Sequence, residues 1–457
     1  MSESEYSGFE ISKTISIANS ASESDTEYSG FVIDNNNNSL DDSSSDEYDD
    51  IIPNIKLPDD LVNHIYDFRH KKYTEKDHIY KEKQIEKLKA IKQYEQKSEG
   101  WFKQRDGCLT ATAVSTVIDD NPYEYPVELF LDKCGRKKDF IVSEPTHHGN
   151  KYEEIASMFY SYRNNIEVYE YGLLQHPIHK FIGASPDGIC EKNRYDQNKH
   201  SYPETKESVD NKELSTLVGR LLEIKCPYSR TILTKGKLDG DMCPHYYYIQ
   251  VQTQLYVTGM SECDFLQCCI KEYSCWDDFV DDSHPRIDSI SKTTGLEKGC
   301  IIQLFDKSKL SDPKCHLHAK YIYPKKLHMT NSEIKQWIAE VFIEFGSTPD
   351  SKSHILVKPI YWHLRNFTCN LIKLDKQKYE KEIIPMLNQF WNYVEYFKRK
   401  PKKLDKIETL IKKHGKDSSK KIFKYINDEY CAATGEKCKQ LYKEPSEWRK
   451  IYNLKKH

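Results

Sequence analysis

The chain has no Cys-x-x-Cys pair among its fourteen cysteines, so neither a zinc ribbon nor a thioredoxin-type redox motif is in view. The cysteines are scattered through 457 residues, unlike the dense pattern of a small secreted disulfide scaffold, and reduced core thiols are expected. Apolar residues are also scarce, at 38% against a usual share of about 45–50%. No run approaches the roughly 18 consecutive apolar residues of a membrane span. The opening MSESEYSGFEISK lacks the basic and then apolar pattern of a signal peptide. Export and membrane insertion are therefore not expected, and the location expected is intracellular, host cytoplasm or nucleus if the source is viral.

Charge is abundant, at 30% of residues, but unevenly placed. Residues 1–50 carry thirteen Asp or Glu against one Lys, a net of −12, so residues 51–457 carry +9 of the overall −3. Residues 401–457 alone contribute +8. A basic body suits a polyanionic partner, although a solvated surface accounts for most such excesses. The acidic segment, residues 1–55, is rich in Ser, Asp, Glu and Asn and is expected to be disordered. Its Tyr6-Ser7-Gly8-Phe9 returns as Tyr28-Ser29-Gly30-Phe31.

Residues 56–99 read as a charged helical segment with an apolar stripe of Ile79, Ile85, Leu88 and Ile91. From Gly100 to about Lys271, strand-like runs alternate with helical ones, the pattern of an α/β core within a domain expected over 100–400. Strands are expected at Phe181–Ala184, Leu221–Ile224 and Asp264–Ile270, and helices at Tyr152–Tyr162 and His245–Thr258. A polar insertion is expected near 192–218, a larger elaboration near 273–353 with strands at Ile301–Phe305 and His318–Tyr323 and a helix at Ser332–Phe345, then a strand pair over Ile355–Lys373 and a helix over Lys378–Lys398. The basic extension, 401–457, is expected to be helical and loosely attached.

Chemistry concentrates in a few segments. Asp187 follows an apolar run and stands between Pro186 and Gly188. In Leu221-Leu222-Glu223-Ile224-Lys225, strand geometry puts Glu223 and Lys225 on one face. Two carboxylates and an ammonium on one sheet edge could hold a hard cation such as Mg²⁺. The Glu-x-Lys spacing alone means nothing, for it recurs at Glu95/Lys97, Glu204/Lys206 and Glu333/Lys335. Glu223 differs in its apolar flanks, where a charge must be paired or metal-bound. A metal site and a structural ion pair stay equally open on these two segments. Glu153 shares a helical face with Gly149, Ala156 and Tyr160, and Tyr247, Gln250 and Gln254 form a stripe on the helix after Pro244. Arg105, Thr110 and Thr112 are suited to a phosphate, or to an ordinary solvated surface.

The order of Trp101-x-x-x-Arg105, Leu109-Thr-Ala-Thr112, His148-Gly-x-x-x-Glu153-x-x-Ala156, Ser185-Pro-Asp-Gly188, Leu222-Glu-Ile-Lys-Cys-Pro227 and Gln250-Val-Gln-x-Gln-Leu-Tyr-Val-Thr-Gly259 resembles the phage-lambda-type exonucleases, or YqaJ-like viral recombinases. The resemblance implies a restriction-endonuclease-like core of the PD-(D/E)xK class, with a central mixed β-sheet flanked by helices. It implies metal ligation by Glu153, Asp187, Glu223 and the Ile224 carbonyl, with Mg²⁺ as cofactor and Mn²⁺ as substitute. Lys225 would serve the attacking water, and Tyr247 and Gln250 would line the site. Arg105, Thr112 and Ser185 would hold a terminal 5′-phosphate. The function expected is a metal-dependent deoxyribonuclease on double-stranded DNA, a 5′-to-3′ exonuclease of viral recombination or replication. A structure-specific endonuclease and a non-catalytic DNA-binding adaptor are the alternatives. Further partners in view are a single-strand-annealing or recombination protein and a second copy of the chain.

Overall fold

The computed structural model describes residues 75–94, 98–137, 142–164, 166–191 and 217–455. The acidic tail and residues 192–216 of the polar insertion lie outside them. The described chain forms two compact units, one of Arg69–Cys269 with Asn366–His457 and the other containing Ile270–Arg365. The fold is mixed α/β, with mixed sheet flanked by helices.

The first unit runs α1 (Glu75–Lys89), α2 (Glu99–Asp106), β1 (Leu109–Thr110), α3 (Ala111–Val117), α4 (Pro126–Lys133), α5 (Glu144–Asn164), β2 (Val168–Tyr169), β3 (Leu174–Gln175), β4 (Ile182–Ala184), β5 (Gly188–Cys190), β6 (Leu221–Lys225), α6 (His245–Thr258) and β7 (Glu262–Glu272). β7 ends beyond the unit boundary. β6 is parallel to β7 and antiparallel to β5, which is antiparallel to β2. A small separate sheet has the order β1-β4-β3. The consecutive strands β4 and β5 thus belong to different sheets, joined only by Ser185-Pro186-Asp187. Gly188 is needed at the start of β5 because a Cβ there would come within 2.0 Å of Val168 Cγ1. On α1, Ile85 and Leu88 are buried as the stripe requires, whereas Ile79 is exposed.

α6 is buried nearly all round, as befits a helix inside a core. It stops at Gly259, whose φ of 70° suits a residue without Cβ. Its bounds coincide with those expected.

The second unit contains α7 (Trp276–Asp281), the hairpin β8 (Ser283–His284) and β9 (Ile287–Ser291), β10 (Lys298–Asp306), β11 (Lys320–Ile322), α8 (Asn331–Glu344) and the first part of β12 (His354–Lys373). Its core joins Phe279, Cys300, Ile302, Met329, Ile334, Ile338 and Tyr361. The strand pair expected over Ile355–Lys373 is a single 20-residue strand. No Gly interrupts the segment, and without a φ > 0 turn residue a tight hairpin is disfavoured.

The loose attachment expected of the basic extension is also corrected. After α9 (Ile384–Phe397) come α10 (Pro401–His414), α11 (Ser419–Thr434) and α12 (Glu447–Lys455). Leu404, Ile407, Ile422, Phe423, Ile426 and Tyr430 are buried. The Phe130 ring meets Phe390, Phe397 and Phe423 edge-on at centroid distances of 5.7 to 6.0 Å. Tyr442 donates to the Val117 carbonyl, and Arg449 pairs with Asp119 at 3.3 Å. High Lys content concealed the apolar stripes of α10 and α11 that these contacts bury.

Candidate active site

Asp187 lies in the link where the chain passes between the two sheets, and its Oδ2 accepts the Ile224 amide N–H at 2.7 Å. The neighbouring strand β6 thereby fixes the carboxylate through its backbone. Glu223 is completely buried, and every partner it has is a donor. Gln250 Nε2 donates to Oε1 at 2.6 Å, Gln254 Nε2 donates to Oε2 at 2.6 Å, and the Lys225 ammonium donates to Oε1. Gln250 and Gln254 are four apart on α6 and so share a face. Lys225 also lies 4.8 Å from the Tyr247 ring centroid, a cation–π contact.

The electrostatics are strained toward positive charge. Burial raises the Asp187 pKa well above its ordinary value, and Glu223 and Glu153 raise it further. Glu153 is raised by burial too, with Lys225 opposing and Glu223 and Glu170 adding. Burial works against the Lys225 ammonium, but Glu223 and Asp187 more than offset it and its pKa rises. Lys225 is therefore a fixed cation, suited to orienting a water or steadying negative charge and unsuited to removing a proton.

A cleft of about 200 Å³ opens beside these groups, lined by Trp101, Arg105, Glu153, Glu170, Ser185, Pro186 and Asp187. The Arg105 guanidinium lies 4.5 Å from the Trp101 ring centroid, and its carbonyl accepts Lys133 Nζ at 2.9 Å. Ser185 is turned to donate to the Tyr171 carbonyl at 3.0 Å. Glu153, Asp187, Glu223, Lys225, Gln250 and Tyr247 are thus brought together, with Arg105 and Ser185 on the wall. Thr112 is not among the lining residues; it is exposed and its hydroxyl lies 3.1 Å from that of Thr110.

Gln254 is part of the site and was visible only as the third member of the α6 stripe. Glu170 had no signal, since the two-residue strand before it has no periodicity to read. Cys268 is a buried strand thiol and its neighbour Cys269 is half-buried.

The donors suit a hard divalent cation in kind: oxygen ligands whose mutual repulsion such an ion would relieve. With the Glu223 oxygens engaged by Lys225, Gln250 and Gln254, no three acidic, His or Cys side chains already converge to hold an ion among the described residues.

The sequence profile of the YqaJ-like viral recombinase domain matches residues 100–261, the segment that supplies every one of these groups. An uncharacterized protein of Acanthamoeba polyphaga mimivirus is 50% identical over 399 residues, covering 86% of this chain and 70% of that protein. The chain belongs to the YqaJ-like viral recombinase family. Among solved structures, this family member is similar to an alkaline exonuclease from Laribacter hongkongensis, at 20% identity over 67% of this chain and all of that one, with a TM-score of 0.32. It is also similar to a phage related exonuclease from Haemophilus somnus, at 11% identity over 65% of this chain and 96% of that one, with a TM-score of 0.30. No helix among the described residues of this YqaJ-like chain is long and apolar enough to cross a membrane.

Proposed function

We propose that this YqaJ-like protein is a metal-dependent deoxyribonuclease of the phage-lambda exonuclease type, hydrolysing double-stranded DNA from 5′ ends in viral recombination or replication. One observation carries the reading: Asp187 is clamped to the β6 backbone beside buried Glu223 and cationic Lys225, at a cleft walled by Arg105. In this reading Glu153, Asp187, Glu223 and the Ile224 carbonyl hold Mg²⁺, which would polarise the scissile phosphate and acidify a bound water. Gln250 and Gln254 keep Glu223 aimed. Lys225 orients the water from the Glu223 side and opposes charge building on the phosphate. Arg105, stiffened by Trp101, offers a bidentate grip on a terminal phosphate.

The test is degradation of linear and closed circular duplex DNA, with Mg²⁺ and with chelator. Loss of the linear form alone, dependent on the cation and faster on 5′-phosphorylated ends, is expected. Nicking of the circle would favour the endonuclease, and binding without cutting would overturn the enzymatic reading.

A further inference from the structure

The segment 398–424 holds twelve Lys or Arg against three Asp or Glu, outside the residues that match the family profile. Its charges are sorted in space. On α10, Leu404 and Ile407 are buried, while Lys402, Lys406 and Lys413, spaced by four and seven, lie on the opposite face and are exposed. Both acids of α10 are drawn off this face by Arg136, which pairs with Asp405 at 2.6 Å and Glu408 at 3.7 Å. Lys398, Lys403, Lys416 and Lys420 have carboxylate partners. Arg399, Lys400, Lys402, Lys406, Lys412, Lys413, Lys421 and Lys424 have none among the described residues. Lys406 reaches across to the Tyr425 ring of α11 at 4.7 Å, so the two helices present one continuous basic face.

We infer that this face is a second docking surface for the sugar-phosphate backbone of duplex DNA, apart from the catalytic cleft. The choice of polyanion rests on the nuclease reading. Lys402 to Lys413 spans about 16 Å of helix, over which one strand of B-DNA presents about five phosphates. The placement also fits. Lys133, which holds the Arg105 carbonyl, and Arg136, which holds α10, are three residues apart at the end of α4. A duplex whose end is at Arg105 therefore has α10 within reach along its length. Contacts of this kind carry no base information and anchor any sequence alike.

The experiment compares the full chain with a Lys402→Gln/Lys406→Gln/Lys413→Gln variant and with a control, Lys309→Gln/Lys314→Gln/Lys325→Gln, that loses the same charge from exposed lysines of the other unit. Binding of a 5′-phosphorylated duplex is titrated against salt in chelator, so cleavage plays no part, and thermal midpoints check folding. The α10 variant should lower the slope of log affinity against log salt by about three, while the control lowers it by less than one. With Mg²⁺, the same variant should raise KM and leave kcat at saturating DNA unchanged. Equal slopes in the two variants would reduce the effect to net charge and overturn the inference. An unchanged slope in the α10 variant, with acidic protein segments displaced from it instead, would overturn it too. A wild type that binds with the steep slope but never cuts would sink the nuclease reading and leave the docking surface standing.

Discussion

Two charge clusters sit at opposite ends of β6, and they are built on opposite plans. Just before the strand, Arg220 is almost fully buried and pairs with Glu262 at 2.9 Å and Asp264 at 3.2 Å, while Tyr160 donates to Asp264 at 2.7 Å. Each acid there faces a cation or a donor. Across the strand, Asp187, Glu153 and Glu223 face one another with Lys225 as the cation that offsets them, and desolvation with mutual repulsion drives the Asp187 and Glu153 pKa values up. The first cluster is complete as it stands; the second has more negative charge than the protein neutralises. That imbalance sets the second cluster apart from a structural ion pair and underlies the proposal that it holds a cation.

The largest effect should come from breaking the unbalanced cluster. Asp187→Ala and Glu153→Gln should each lower cleavage on the order of 10³-fold, about 4 kcal/mol in the barrier, with thermal midpoints little changed because repulsion is relieved. Nuclease assays beside melting curves read both. Wild-type turnover, or a midpoint collapse like that of a core mutant, would make the two clusters alike.

Next is the balanced cluster. Asp264→Ala should cost about 3–5 kcal/mol of stability by removing one of the two carboxylates that pair with buried Arg220 and the acceptor of the Tyr160 hydroxyl, measured by chemical denaturation. Folded protein at moderate temperature should still cut. Loss of activity without loss of stability would move Asp264 into the chemistry.

The smallest effect sharpens the boundary between the two plans. Gln254→Leu removes one donor from Glu223 and should reduce activity about 10- to 100-fold, mostly by raising the Mg²⁺ concentration needed for half-maximal rate. A fall in maximal rate at saturating Mg²⁺ would assign Gln254 to the reaction itself.

The site was more legible in the sequence than the surroundings that support it. Asp187, Glu223 and Lys225 stood out because charges beside apolar runs call for a partner or a metal, whereas Gln250 belonged to a polar stripe that could equally face solvent until the family resemblance assigned it to the site. The α6 bounds followed from Pro244 before the helix and Gly259 after it. By contrast, β12 was misread as two strands, since composition does not reveal where a strand simply continues. The docked C-terminal helices were hidden because Leu404, Ile407, Ile422 and Phe423 are few among many lysines, and only the facing Phe130 and Phe390 rings show that they are enough. Thr112 had a phosphate-binding composition, but its exposed hydroxyl lies beside that of Thr110 and it is not among the residues that line the cleft.

The short link Ser185-Pro186-Asp187 has a consequence for product length. It leaves β4, which pairs directly with β1, and β1 follows the helix that carries Arg105. The group that would seize the DNA end and the carboxylate at the point of cutting are thus mounted on the same small sheet. On the proposed nuclease reading, such a mounting would act as a caliper, holding the interval from gripped end to broken bond constant, and fragments of uniform length would be the expected product.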